Sequence, residues 1–244
     1  MSDSLRIDLS DFGPATGTDT GPASDPPGGG GSPWRRVRWV VTLALPAAVV
    51  PFVLLLRGSV HAHAHWGYRP WTAVTVGIVF ATVALAVILW TALALLRFPA
   101  GFRRLLSRSA AGLALVFVLH GLLYVGVRNV KGDAVRSEYR ALHPLLRLGS
   151  TVLVLVDRDA VVTDAARTRE DYAAMGLPPA ETSLHFAQSD GYVHALDLRT
   201  VGRAEWRNVL VETGFRMMGF HTLRHVGTAD HLHVSLPPRG ASAS

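Results

Sequence analysis

The sequence predicts a small α+β domain carried behind three transmembrane helices, and three observations predict it. Uncharged apolar runs extend over Trp39–Leu56, Trp71–Leu96 and Ser109–Val127, which are 18, 26 and 19 residues long, with His120 the one histidine among them. A helix needs roughly 20 apolar residues to cross a bilayer. Charge is sharply segregated: residues 1–25 carry a net −4, residues 26–132 a net +11 without a single acid, and residues 133–244 a net −1. After residue 133, short stretches of helical spacing alternate with short stretches of strand alternation, the pattern of a mixed domain.

Residues 1–34 lack hydrophobic periodicity, and Gly21–Pro33 is mostly Gly, Pro, Ser and Asp. Such a composition buries too little apolar surface to offset its ordering entropy, so a disordered cytoplasmic tail is expected there and a signal peptide is not. Residues 35–132 then form the membrane domain, with spans at about 39–56, 71–96 and 109–127. No amphipathic face interrupts the runs, as it would in helices bordering a soluble core. Pro46 and Pro51 are tolerated in a membrane helix. Trp39, Trp66, Tyr68 and Trp71 stand at run ends, where aromatic rings favour the interface.

Arginine placement orients these spans. Arg35, Arg36 and Arg38 precede the first run, and Arg97, Arg103, Arg104 and Arg108 fill the loop between the second and third, whereas the first loop holds only Arg57 and Arg69. Arg-rich short loops stay in the cytoplasm. A multi-pass protein of the cell membrane is therefore expected, with its N-terminus cytoplasmic and its C-terminal domain extracytoplasmic. The lipid bilayer is the partner that explains the basic excess; nucleic acid is not, because the positive charge flanks apolar runs. His61, His63 and His65 in the first loop would share one face of an extended segment and make a candidate metal tract.

The domain expected over 133–238, before a short tail at 239–244, begins with helical spacing across Ala134–Leu148. A strand at Val161–Thr163, a helix at Arg169–Met175 and a helix at Ala204–Met217 follow, the last with Trp206, Leu210, Val211 and Phe215 on one side. Strands are expected at Gly219–Leu223 and His231–Leu236, paired around a turn containing Gly227.

Between these elements lies the chemistry. With no cysteine in the chain, disulfides and thiolate metal sites are excluded, and zinc would have to be bound by His nitrogen and carboxylate oxygen. Catalytic zinc takes three protein ligands and keeps a fourth position open. His185, Asp197 and His233 can supply that set. Strand alternation places Asp197 on a face with Val193 and Ala195, with His194 opposite, and places His231 and His233 on one face of the later strand. Asp230 and His231 are then close enough to act on water.

Ser183-Leu-His185, Gly191, Ala195-Leu-Asp197 and the late Asp230-His-Leu-His233 resemble, in order, the zinc D-alanyl-D-alanine carboxypeptidases and related endolysin peptidases, which share the hedgehog/DD-peptidase fold. Upstream, Val162-Thr-Asp-Ala-Ala-Arg167-Thr resembles that family's Val-Thr-Ser-Gly-Tyr-Arg-Ser strand end. The resemblance covers about residues 133 to 236 and implies a zinc metallopeptidase, a hydrolase acting on peptidoglycan stem peptides of the cell wall. It also implies that Arg167 binds substrate and stabilises the transition state, and that Asp230 is the general base, with His231 the runner-up. Eleven residues lie between His185 and Asp197 where the family usually has six, so His194 stays open as the rival first ligand. Two other readings compete: an inactive wall-binding or sensing module on the same fold, and a structural membrane protein with an incidental histidine cluster.

Overall fold

The computed structural model describes residues 33–123, 129–176, 178–179, 182–227 and 230–239. Most of the expected tails at 1–34 and 239–244 lies outside the described residues, as do the last positions of the third apolar run. Among the described residues, seven helices accompany one four-stranded antiparallel sheet, so the domain is mixed α+β.

Helices α1 (Pro33–Ala64), α2 (Pro70–Leu95) and α3 (Ala100–Leu123) follow one another through short connections and pack α1 on α2 and α2 on α3. Two of them, α2 and α3, are long and apolar enough to cross a membrane. Val79, Val83, Val87, Leu105, Leu113, Val116 and Leu119 stand exposed along them. The expectation of three spans is thus met by two. The described apolar part of α1, Val49–Ala64, is shorter, and Leu55, Leu56, Val60, Ala62 and Ala64 within it are buried against the rest of the protein. The loop expected over Arg97–Arg108 is also shorter: α3 starts at Ala100, so Arg103, Arg104 and Arg108 ride on its first turns, with the Arg103 guanidinium 4.6 Å from the Trp90 ring centroid.

The α+β domain sits on the end of these helices remote from Arg97–Arg108. One continuous core joins Leu55, Leu56 and Val60 of α1 and Val118 and Leu122 of α3 to Leu145, Leu146 and Leu148 of α5 (Pro144–Val156) and to Leu196, Leu198, Leu232 and Val234 in the sheet. Thr151 Oγ1 of α5 adds a hydrogen bond of 3.2 Å to the Gly121 carbonyl of α3. The single helix expected over Ala134–Leu148 is in fact two. α4 (Asp133–Glu138) passes through a 3-10 turn at Tyr139–Ala141, and the chain then extends at His143 (φ −53°, ψ 137°) before α5 begins. Pro144 is the cause: its ring keeps the preceding residue out of helical geometry but suits the first helical position. α5 then runs on through Val152–Val156.

The sheet order is β1-β2-β4-β3, with β1 (Val162–Asp164), β2 (Ala195–Arg199), β3 (His221–His225) and β4 (His231–Ser235). β3 starts two residues later than expected. The chain joins this sheet slightly before residue 133, since the Lys131 N–H donates to the Val162 carbonyl at 2.9 Å. α6 (Arg169–Ala174) follows β1 and starts at a reciprocal cap between Thr168 and Asp171. α7 (Glu205–Met217) buries Asn208, Val211 and Phe215 and leaves Trp206 and Leu210 exposed, so its inner face is rotated from the expected one.

At the α1–α2 crossing, a Cβ added to Gly77 would collide with Ser59 Oγ and with the Leu55 carbonyl oxygen, which is backbone and cannot yield. Gly77→Val should therefore destabilise the full chain in detergent by at least the roughly 1–3 kcal/mol typical of overpacking, read as a lowered Tm. Gly112→Ala, where an added Cβ meets nothing within 4 Å, should leave Tm unchanged or slightly raised.

Candidate metal centre

Asp197 and His233 are direct cross-strand partners in β2 and β4, which puts their side chains side by side on one face of the sheet. His185 arrives from an irregular segment fastened on both sides. Its carbonyl accepts the Arg167 N–H at 2.9 Å, and the neighbouring Leu184 carbonyl accepts the His194 N–H at 2.9 Å. The His185 ring is oriented by the Ala165 carbonyl, 2.7 Å from Nδ1. A carbonyl only accepts, so Nδ1 carries the hydrogen and Nε2 turns a lone pair toward the site.

Three atoms converge there. His185 Nε2 lies 3.3 Å from His233 Nδ1 and 3.4 Å from Asp197 Oδ1, and the last two are 2.9 Å apart. Bonds of about 2.0–2.1 Å in tetrahedral geometry put ligand atoms roughly 3.3 Å from one another, so this triangle fits a single small cation. His185, Asp197 and His233 can thus hold a metal ion.

The other oxygen of Asp197 is used differently. Arg167 donates from Nη2 to Asp197 Oδ2 at 3.2 Å and from Nε to Asp164 Oδ2 at 2.7 Å. Burial alone would raise the Asp197 carboxyl, but the His185 and His233 imidazoles outweigh it and hold the group below the usual carboxylate range. For His185, burial works to lower the pKa; the Asp197 carboxylate and the Ala165 carbonyl outweigh it and raise the ring above its ordinary value.

The two candidate proton carriers are placed unlike each other. His231 shares the face of His233; its Nε2 is 3.8 Å from Asp197 Oδ2, and its ring stacks at 4.6 Å on His225. His225 belongs to β3 and is exposed there. Asp230 is held elsewhere. Arg224 grips both its oxygens, Nε to Oδ1 at 2.7 Å and Nη2 to Oδ2 at 3.0 Å, and Thr200 Oγ1 donates to Oδ1 at 2.6 Å. These bonds, Arg224 foremost, pull its pKa down to about 2.

His194 does not join His185, Asp197 and His233. It meets Asp190, His63 and His143 in a second group. The histidine tract is helical rather than extended, so His61 and His65 stack one turn apart at 4.5 Å while His63 turns inward and is buried. His143 and Asp190 escaped sequence reasoning. Nothing in their linear spacing marks them, although His143 immediately before Pro144 is a legible cap position.

The chain matches no protein-family model, no curated protein and no solved structure.

Metal competes with a proton for His185 Nε2, and Asp197 favours that proton, so affinity should rise with pH, by up to about tenfold per unit where one proton is released. Titration calorimetry at several pH values would read it. The sign for the metal-free fold is opposite. A raised pKa stabilises the folded chain below the unfolded value of 6.5, and that contribution is lost as pH rises through the folded value. An affinity that does not change with pH would exclude His185 as a ligand.

Proposed function

We propose that this chain is a membrane-anchored zinc peptidase of the hedgehog/DD-peptidase type, acting on peptidoglycan stem peptides as a D,D-carboxypeptidase or endopeptidase. The observation that carries the reading is the meeting of His185, Asp197 and His233 at one point, with Arg167 on the far oxygen of Asp197. Two imidazoles and a carboxylate, with no thiolate in the chain, are a hydrolytic zinc set with room for a fourth ligand. Zinc held there supplies Lewis-acid activation of water and of a peptide carbonyl.

The remaining work falls to the chain's own groups. Arg167 is partly exposed and fixed by Asp164 and Asp197, so its free N–H directions can receive a substrate carboxylate or the negative charge developing on a carbonyl oxygen. Asp197 holds its charge through contact with both imidazoles and so keeps them aligned. The proton carrier we assign is His231, because its ring shares the face of His233 and lies beside Asp197. Asp230, the base implied by sequence order, is engaged by Arg224 and is too weak a base for that task, so its role becomes fixing the start of β4. The same engagement favours a second reading: a zinc-holding module that binds wall peptides without cutting them.

Placement of the domain supports an extracytoplasmic site. It covers the end of the helices opposite the arginines of Arg97–Arg108, beside the exposed ring systems of Trp66, Tyr68 and Trp71. A reporter fused after Ser244 should accordingly be active only outside the cytoplasm, and cytoplasmic activity would remove the wall substrate with the orientation.

For turnover, the full chain in detergent with one zinc in this site should cleave a stem pentapeptide. His231→Ala should lower kcat by about 10²–10⁴-fold while zinc content stays unchanged. Asp230→Asn should cost far less. The reverse order would return the base to Asp230, and a zinc-loaded chain that binds the peptide without cleaving it would establish the binding module.

A further inference from the structure

The segment between His185 and Asp197 carries the second constellation. Asp190 and His194 belong to it, and they meet His63 from the C-terminal end of α1 and His143 from the cap of α5. One ligand atom from each lies within 4.8 Å of all the others. The three imidazoles are buried, His63 and His143 completely. Polar groups buried together normally find partners. Here His63 Nε2 and His143 Nε2 have none.

Backbone groups fix the tautomers. His63 Nδ1 lies 3.1 Å from the Tyr68 carbonyl, so it bears the hydrogen and Nε2 is a bare lone pair. His143 is the reverse: its Nδ1 accepts the Leu145 N–H at 3.2 Å, which caps α5 and leaves the hydrogen of the neutral ring on Nε2. His194 Nε2 lies 3.0 Å from both oxygens of Asp190. The pocket therefore offers a bare imidazole lone pair, an imidazole–carboxylate pair and an unused N–H. The bare lone pair and the carboxylate suit a cation, which would take the place of the hydrogen that His194 Nε2 donates to Asp190.

We propose that this pocket is a second divalent-cation site, held by His63 Nε2, His194 Nε2 and an oxygen of Asp190, which clamps the end of α1 to the segment that also carries His185. Two imidazoles and one carboxylate suit zinc or a similar first-row cation. His143 is not a ligand, because coordination would need the lone pair that its hydrogen occupies; its Nε2–H lies 3.9 Å from Asp190 Oδ2. Arg239 donates to Asp190 Oδ2 at 3.1 Å from the solvent side and opposes a cation, while Oδ1 accepts the Tyr192 N–H at 3.2 Å and keeps a second lone pair for the pocket. The His63 and His194 ring centroids are 5.9 Å apart, against 5.1 Å for His185 and His233, so binding draws the ligands together by side-chain rotation.

Metal counting on the full chain tests this without any turnover assay. The chain is purified in detergent, loaded with zinc, desalted and analysed for metal. Two zinc ions per chain are expected, one after His233→Ala, one after Asp190→Asn and none after both. Asp190→Asn keeps the side-chain volume and a hydrogen-bonding group, so the fold should persist. A second readout guards against trivial loss: in the His233→Ala background added zinc should still raise Tm, and it should not once Asp190→Asn is added. A single zinc removed by His233→Ala would overturn the second site and leave the first intact. So would two ions that survive both Asp190→Asn and His63→Gln.

Discussion

The carboxylate of Asp197 is the group on which the rest of the domain depends. It is buried at the middle of the sheet, where an ionised group persists only if neighbours replace its water. Each oxygen has its own neighbours. Oδ1 faces the two imidazoles of His185 and His233, and Oδ2 faces the Arg167 guanidinium and, further off, His231. The chain around it follows from this demand. The stretch after β1 bends so that Ala165 can orient one ring and Arg167 can reach back. The segment bearing His185 is fastened to that stretch by backbone hydrogen bonds. Taking the carboxylate away would leave two imidazoles without a counter-charge and Arg167 with Asp164 alone.

Much of this centre was legible because strand alternation is a short-range rule. A period of two determines which of His231, Leu232 and His233 share a face, and likewise which of His194, Ala195 and Asp197 do, before any tertiary contact is known. His185 needed more than periodicity; the Ser183-Leu-His185 context drew attention to it. The misreadings share another cause. His61, His63 and His65 share a face only if extended; at 3.6 residues per turn, His63 swings away from the other two, and whether α1 continues that far depends on the surface it packs against. Asp230 stands three residues before His233 in the chain, but Arg224 reaches it across the β3–β4 pairing, and such a partner is invisible to linear spacing. His143 and Asp190 become neighbours only through folding.

α1 shows how tertiary packing redistributes an apolar run. Its sequence reads as a lipid-facing span, yet Leu55, Leu56 and Val60 face other protein atoms and Gly77 lets α2 approach them closely. Hydropathy records only that these residues avoid water. Lipid and a packed interior satisfy them equally, so the number of spans is set by which neighbours the helix finds.

The core shared by α1, α3, α5 and the sheet has a consequence for reach. An enzyme on a flexible leash sweeps a volume that grows with leash length, and it samples targets at many heights. Here five residues separate Leu123 from Asn129, and α5 is wedged against α1, α2 and α3. The centre is therefore a fixed tool on a fixed mount. Its distance from the ends of α1 and α3 is set by the thickness of one small domain, and any molecule that meets it must come to that plane.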